Sequence, residues 1–392
     1  MTLFSTNEHG QPEHPVKVRK SAKERRRSLG ITLLTGSLVL TLALAAVPSA
    51  YVIEEPGPWF DTLGFVSVPS DDAGDKDLKT KIPLISIENE ATFPTTGELD
   101  LLTVTVRGNP ESTPTWLEVA MAWFEPSKAV VPLEAIFSPN ETNEERDAAN
   151  TALMVNSQQD AIAAALTNLG YDVVVGVKVM GFAEGSPAHG ILHEGDIITA
   201  FNGTAVESVP ELRALLDENG TTTPGTVTYL RDGVSSDVQI TPMASDGGAV
   251  LGVAAQLEYN FPIDVKIRLD DVGGPSAGMM FALGIIDKLT PDDMTAGYHF
   301  AGTGTIDAAG EVGPIGGIRQ KLYGAQKAGA TYFLAPAANC GEVIGHIPDG
   351  LQVFSVKTLD DAIAVVNFVA MHGEKSQAMN DKMGMLPTCQ NE

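Results

Sequence analysis

Residues 29–53, LGITLLTGSLVLTLALAAVPSAYVI, run for 25 positions without a charged side chain. A helix crossing a bilayer core needs about 20 such residues, so the segment predicts a single membrane anchor. The competing reading is a cleaved leader, since Val47-Pro48-Ser49-Ala50 offers a small-residue cleavage site. The apolar stretch of a leader is only about 7–15 residues long, which favours the anchor. Residues 1–28 hold seven Lys/Arg against three Glu, a net of +4. Such a flank stays on the cytoplasmic side, which places the rest of the chain outside the cell membrane.

The whole chain carries −25, so everything after residue 28 carries −29. A body this acidic repels phosphate and argues against a nucleic-acid partner. The two cysteines suit an oxidising compartment, where Cys340 and Cys389 could pair and pin the C-terminal tail. Neither has a second ligand at metal spacing. His193-Glu194 opens like a zinc HExxH, but the second histidine is missing. The phosphate-cradling pattern GxxxxGK[ST] is absent too, so neither a metal nor a nucleotide cofactor is expected.

Composition divides the body. Residues 54–80 are rich in Pro, Gly and Asp and read as a connector. Strands follow over 82–107, broken by the turn Pro94-Thr95-Thr96-Gly97. Residues 148–169 place Met154, Ala161, Ile162, Ala165, Leu166 and Leu169 at helical spacing, with Gly170 as the stop. Residues 171–243 give short strands punctuated by glycine, a helix from Pro210 and a hairpin at Asp232-Gly233.

That stretch resembles a PDZ domain, through Gly185-Ser186-Pro187-Ala188, His193 to Ile198 and Phe201-Asn202-Gly203. The resemblance implies that an extended peptide adds as a strand to a sheet edge beside the helix. The matching edge is expected at Gly176, Val177, Lys178 and Val179, where VVVGVKV departs from the usual Gly-Leu-Gly-Phe.

Residues 265–271 read as a strand broken by Gly273-Gly274, and residues 276–289 continue as a helix with Pro275 in its first turn. Ser276 falls at the helix mouth, where free N–H groups and the positive dipole end collect. There it is either a plain N-cap or a nucleophile beside an oxyanion site. A G-x-S-x-G esterase would need a histidine downstream, and His299, His346 and His372 sit in no motif. A helix over 315–330 offers a different base. Ile318, Lys321, Leu322, Ala325 and Ala328 share one face, on which Lys321 is the only charge. A lysine pressed into apolar surroundings has an accessible neutral amine. It could equally snorkel to water.

GGPSAG (273–278) followed by GPIGGIRQKLYGAQKAGA resembles the proteolytic domain of Lon-type serine peptidases. The resemblance implies a Ser–Lys dyad of Ser276 and Lys321, with Thr303 orienting the amine and the Ala277 backbone meeting the oxyanion. It extends through residues 301–317, APAAN (335–339) and DDAIAVV. Gly273, where many Lon enzymes carry an acid, and Met280, where a small residue is usual, depart from the pattern. With anchor, PDZ and Lon-like parts but no ATPase module, the chain resembles the membrane-anchored PDZ–Lon proteases of bacteria.

The expected class is α+β, with an N-terminal transmembrane helix and a PDZ domain inserted into or preceding a Lon-type domain. The expected limits are a basic tail (1–28), anchor (29–53), connector (54–80), early protease part (81–170), PDZ (171–249), proteolytic domain (250–368) and tail (369–392). The expected activity is ATP-independent endopeptidase cleavage of unfolded or extended proteins. An inactive PDZ adaptor and a histidine-dependent esterase are the rivals. Expected partners are protein or peptide substrates and the membrane, and the resemblance leaves a homo-oligomer open.

Overall fold

The computed structural model describes residues 22–69, 79–138, 142–206, 208–245, 247–269, 272–372 and 386–389. Most of the expected basic tail, part of the connector, Asp270 and Asp271 of the expected strand, and most of the C-terminal tail lie outside them. The chain divides into two compact units, residues 1–53 with 106–138, and residues 54–105 with 139–392.

The first unit holds the helix Ala22–Ala46. Its window Leu29–Ala46 has a mean hydropathy of 2.1 and is long and apolar enough to cross a membrane. The apolar run expected to 53 stops being helical at Ala46, because the chain turns through Pro48 into the strand Tyr51–Asp61. Pro48 lacks the N–H that a helix interior needs. The unit also contains the helix Trp116–Ala122, started by a capping box in which Thr115 and Glu118 exchange bonds.

Composition misleads over residues 54–80. The expected connector includes most of the strand Tyr51–Asp61 and the strand Phe65–Pro69. Gly57 explains the misreading, since a Cβ there would come within 2.3 Å of Thr103 Oγ1. Glycine is present so that two strands can approach closely, and it marks no loop.

Among the described residues, the second unit contains four two-stranded sheets beside two large ones. One runs in the order Gln352–Val356, Tyr332–Pro336, His299–Gly302, Glu98–Arg107, Tyr51–Asp61, with the first four strands parallel. Its core takes in Leu84, Leu99 and Leu101, then Met154, Ala161 and Leu166, then Met279–Leu283 and Val365–Val366. Segments on both sides of residues 171–249 therefore share one core. The helix contributing Met154 spans Asn143–Asn168 and starts earlier than its apolar periodicity indicates. Thr142 and Glu145 form a capping box that the T-x-x-E spacing already spelled.

The other sheet has its own core around Val177, Ile198, Phe201, Leu212 and Val227. Its order is Val234–Ile240, Gly225–Arg231, Ile197–Phe201, Val174–Phe182, Val253–Asn260. The hairpin turn at Asp232-Gly233 has φ of 51° and 76°, as a two-residue primed turn requires. The edge strand Val253–Asn260 lies beyond the expected limit at 249.

The last helix, Leu359–His372, buries Val369 and so runs past the expected limit at 368. Further on, Cys389 is bonded to Cys340 and Pro387 O accepts from Ser355 N–H at 2.9 Å. A crosslink over 49 residues removes unfolded-chain entropy worth about 2–4 kcal/mol. Cys389→Ala should lower stability by that amount, measured by urea unfolding as a lower midpoint with a somewhat steeper slope, because the uncrosslinked unfolded chain exposes more surface.

Candidate active site

Ser276 precedes the helix Gly278–Leu289, whose N-cap is Ala277. The expected helix start at 276 is thus two residues early, and Ser276 is not a cap. The loop is held from outside instead. Ser157 Oγ–H donates to Pro275 O at 2.9 Å, and Met279 N–H donates to Gly304 O at 3.2 Å. Two donors fix the Ser276 carbonyl, Thr303 Oγ1–H and Gly304 N–H, both at 2.9 Å.

Lys321 comes from the helix Ile318–Ala328, which starts at Gly317 in the left-handed region with φ of 68°. The turn before it is tied down by Asn339. Its Oδ1 accepts from Ile315 N–H, and its Nδ2–H donates to Ile315 O, both at 2.9 Å. Ile318, Lys321, Leu322 and Ala325 are buried and Lys327 is exposed. Gln320 is also buried, so the covered face is wider than the periodicity indicates.

The Lys321 amine does not snorkel. The residue is 2% exposed, with Nζ 2.7 Å from Ser276 Oγ and 2.8 Å from Thr303 Oγ1. Burial strips hydration from the ammonium and lowers the Lys321 pKa to about 7. Thr303 spends its own proton on the Ser276 carbonyl, so its oxygen accepts from Nζ. A neutral amine that donates to Thr303 keeps its lone pair for the Ser276 hydroxyl. A pocket of about 360 Å³ opens on the pair, lined by Thr103, Val104, Met154, Ser276, Ala277 and Lys321 among others.

The histidines are engaged elsewhere. His299 Nε2 lies 2.7 Å from Asp100 Oδ2 and 3.2 Å from Glu98 Oε2. The rings of His346 and His372 bond the carbonyls of Ile344 and Phe368.

The expected peptide edge at Gly176, Val177, Lys178 and Val179 is not open, and this reading is corrected. The strand Val174–Phe182 pairs with Ile197–Phe201 on one side and along Val253–Asn260 on the other. Gly176 is there because a Cβ would come within 2.4 Å of Ile197 Cγ2 and 2.7 Å of Ile198 O. The sheet ends instead at Val234–Ile240 and at Val253–Asn260, and the second of these edges lies beside the helix Val209–Asn219. Between it and the helix Val209–Asn219 lies a groove of about 540 Å³ lined by Val209, Leu212, Leu216, Val250, Leu251 and Val253 among others. Val250-Leu251-Gly252-Val253 carries a Leu-Gly pair ahead of the strand, the local signal in the sequence that marks this edge.

Residues 269–368 match the model of the Lon protease (S16) C-terminal proteolytic domain, and residues 144–241 match a PDZ domain. The chain therefore joins a PDZ domain to a proteolytic domain. That proteolytic domain is of the Lon type. Lon protease 2 of Herpetosiphon aurantiacus is 34% identical over 136 residues, covering 32% of this chain and 16% of that protein. Lon protease 2 of Bacillus subtilis is 34% identical over 109 residues, 27% of this chain and 18% of its own. The chain thus spans less than a fifth of the length of these relatives. Among solved structures, the PDZ domain of an SdrC-like protein from Listeria monocytogenes is 27% identical with a TM-score of 0.19, over 20% of this chain and 86% of that one.

Proposed function

We propose that this chain is an ATP-independent serine endopeptidase with a Ser276–Lys321 dyad. The observation that carries the reading is the buried Lys321 amine 2.7 Å from the Ser276 hydroxyl. Neutral Lys321 takes the Ser276 proton as Oγ attacks a peptide carbonyl, giving a tetrahedral adduct. The lysinium then protonates the leaving amine, the C–N bond breaks to leave the acyl-enzyme, and a water deprotonated by the again neutral Lys321 attacks it to release the acid. Thr303 positions Nζ throughout. In a trans peptide the N–H points opposite to its C=O. With the Ser276 carbonyl held by Thr303 and Gly304, the Ala277 N–H is directed away from them and serves as the oxyanion donor, helped by the helix dipole.

The apolar helix Leu29–Ala46 serves as a single-pass anchor, with the catalytic body outside the cytoplasm. The Cys340–Cys389 bond supports an oxidising location. On this nucleotide-independent reading, substrates are proteins already unfolded or extended. Their extended segments add to the Val253–Asn260 edge in the groove beside the helix Val209–Asn219. That strand also touches the protease part, where Tyr259 bonds Asp160 Oδ1 at 2.5 Å. Asp160 shares its helix with Ser157, which holds Pro275.

Full-length protein in detergent should cleave an unfolded protein without nucleotide, and Ser276→Ala should not. Cleavage by Ser276→Ala would overturn the assignment, and no cleavage by the native chain on any unfolded substrate would favour the adaptor. Filling the groove with Ala254→Trp should raise KM for an unfolded protein about tenfold, roughly 1.4 kcal/mol, with kcat on a short peptide unchanged. Steady-state kinetics on the two substrates would check this.

A further inference from the structure

The first unit carries an exposed apolar tip. Met121, Trp123 and Phe124 are 60%, 64% and 87% exposed at the end of the helix Trp116–Ala122. Its position relative to the apolar helix is fixed by backbone pairing. Pro48 bridges Thr115 in antiparallel sense, Ser49 N–H donates to Pro114 O, and Trp116 N–H donates to Val47 O. Residues 47–49 lead away from the apolar helix, so residues 114–116 lead back toward it. The helix Trp116–Ala122 then continues in that direction and lies against the helix Ala22–Ala46. Seven residues at 1.5 Å each carry the tip about 10 Å past the level of Val47. The chain afterwards returns, with Leu133 N–H on Ala50 O.

We propose that residues 121–128 dip into the face of the bilayer that Leu29–Ala46 leaves, with Trp123 and Phe124 at the boundary between headgroups and acyl chains. The inference rests on the reading of Leu29–Ala46 as a membrane span. The tip is built for such a medium in three respects. Its side chains are of the aromatic and apolar kinds enriched at membrane interfaces. Much of its backbone bonds within the tip, with the amides of Trp123, Phe124, Glu125 and Lys128 donating to Val119, Met121, Ala122 and Glu125. Its two charges, Glu125 and Lys128, pair at 3.0 Å and so enter as a neutral couple. Lipid is favoured over a protein partner because the patch continues the exposed surface of the apolar helix itself. The wedge adds a second attachment beside the span and restrains tilting of the unit that carries it.

The chain has three tryptophans, Trp59, Trp116 and Trp123. Full-length protein with Trp59→Phe and Trp116→Phe, reconstituted in phosphatidylcholine vesicles, leaves Trp123 as the only reporter. Its fluorescence should be quenched at least twofold by lipids brominated high on the acyl chain and hardly at all by iodide. The converse variant, Trp123→Phe alone, should lose most of the lipid-quenched signal of the native chain. A chain that floats with the vesicles while Trp123 stays open to iodide would overturn the wedge and leave the anchor standing. Insensitivity to both quenchers would mean that protein covers the tip, and would also overturn it. A chain that does not float would overturn the spanning reading, and the wedge with it.

Discussion

Lys321→Met should reduce peptide-bond cleavage by about three orders of magnitude or more, with the protein still folded. Met has nearly the same length and volume and suits the apolar face that Ile318, Leu322 and Ala325 define. The Ser276 hydroxyl would remain in place but without a base. The change should also stabilise the protein at neutral pH. Burying an amine that would rather be hydrated is costly, and an apolar replacement removes that cost, by on the order of a few kcal/mol. Activity lost together with stability gained distinguishes a catalytic lysine from a structural one. Steady-state cleavage and urea unfolding of the same preparation measure both. Lost activity with lost stability would mean that the lysine chiefly holds the loop.

The rate should fall about fiftyfold between pH 7 and pH 5, approaching tenfold per pH unit well below 7. The cause is the Lys321 amine, whose pKa burial brings down to about 7 from 10.5. Only its neutral form accepts the Ser276 proton, so activity rises as pH passes 7. Stability moves the same way over a different window. Between pH 7 and 10.5 the unfolded chain holds a proton on Lys321 that the folded protein has released, so stability rises with pH. Lys321→Met should lose this slope. A kcat/KM profile with a single ionisation near 7 is the expected record. A flat profile from pH 5 to 9 would exclude Lys321 as the base.

The sequence made the pair at the site legible because each member stands out locally. Ser276 sits between glycines at a strand-to-helix turn, and Lys321 interrupts an otherwise apolar helix face. Distances and roles were not legible. Nothing local says that Thr303 and Gly304 both hold the Ser276 carbonyl, or that Ser157, 118 residues before Pro275, steadies the same loop. The PDZ groove was misplaced for a tertiary reason. Gly176 sits in a strand whose two edges are both paired, and only the sheet order exposes Val253–Asn260. Residues 54–61 were misread because the glycine and prolines of EEPGPWFD suggest a loop. Gly57 answers the close approach of Thr103, which composition cannot show.

The central claim is that Ser276 is a nucleophile because Lys321 makes it one. Its most direct test is intact-mass analysis and peptide mapping after exposure at pH 8 to a small serine-reactive acylating probe, comparing the native chain with Lys321→Met. One adduct, mapped to Ser276 in the native chain and absent from Lys321→Met over the same time, is the predicted result. Equal labelling of both proteins, or labelling of the native chain elsewhere than Ser276, would contradict it.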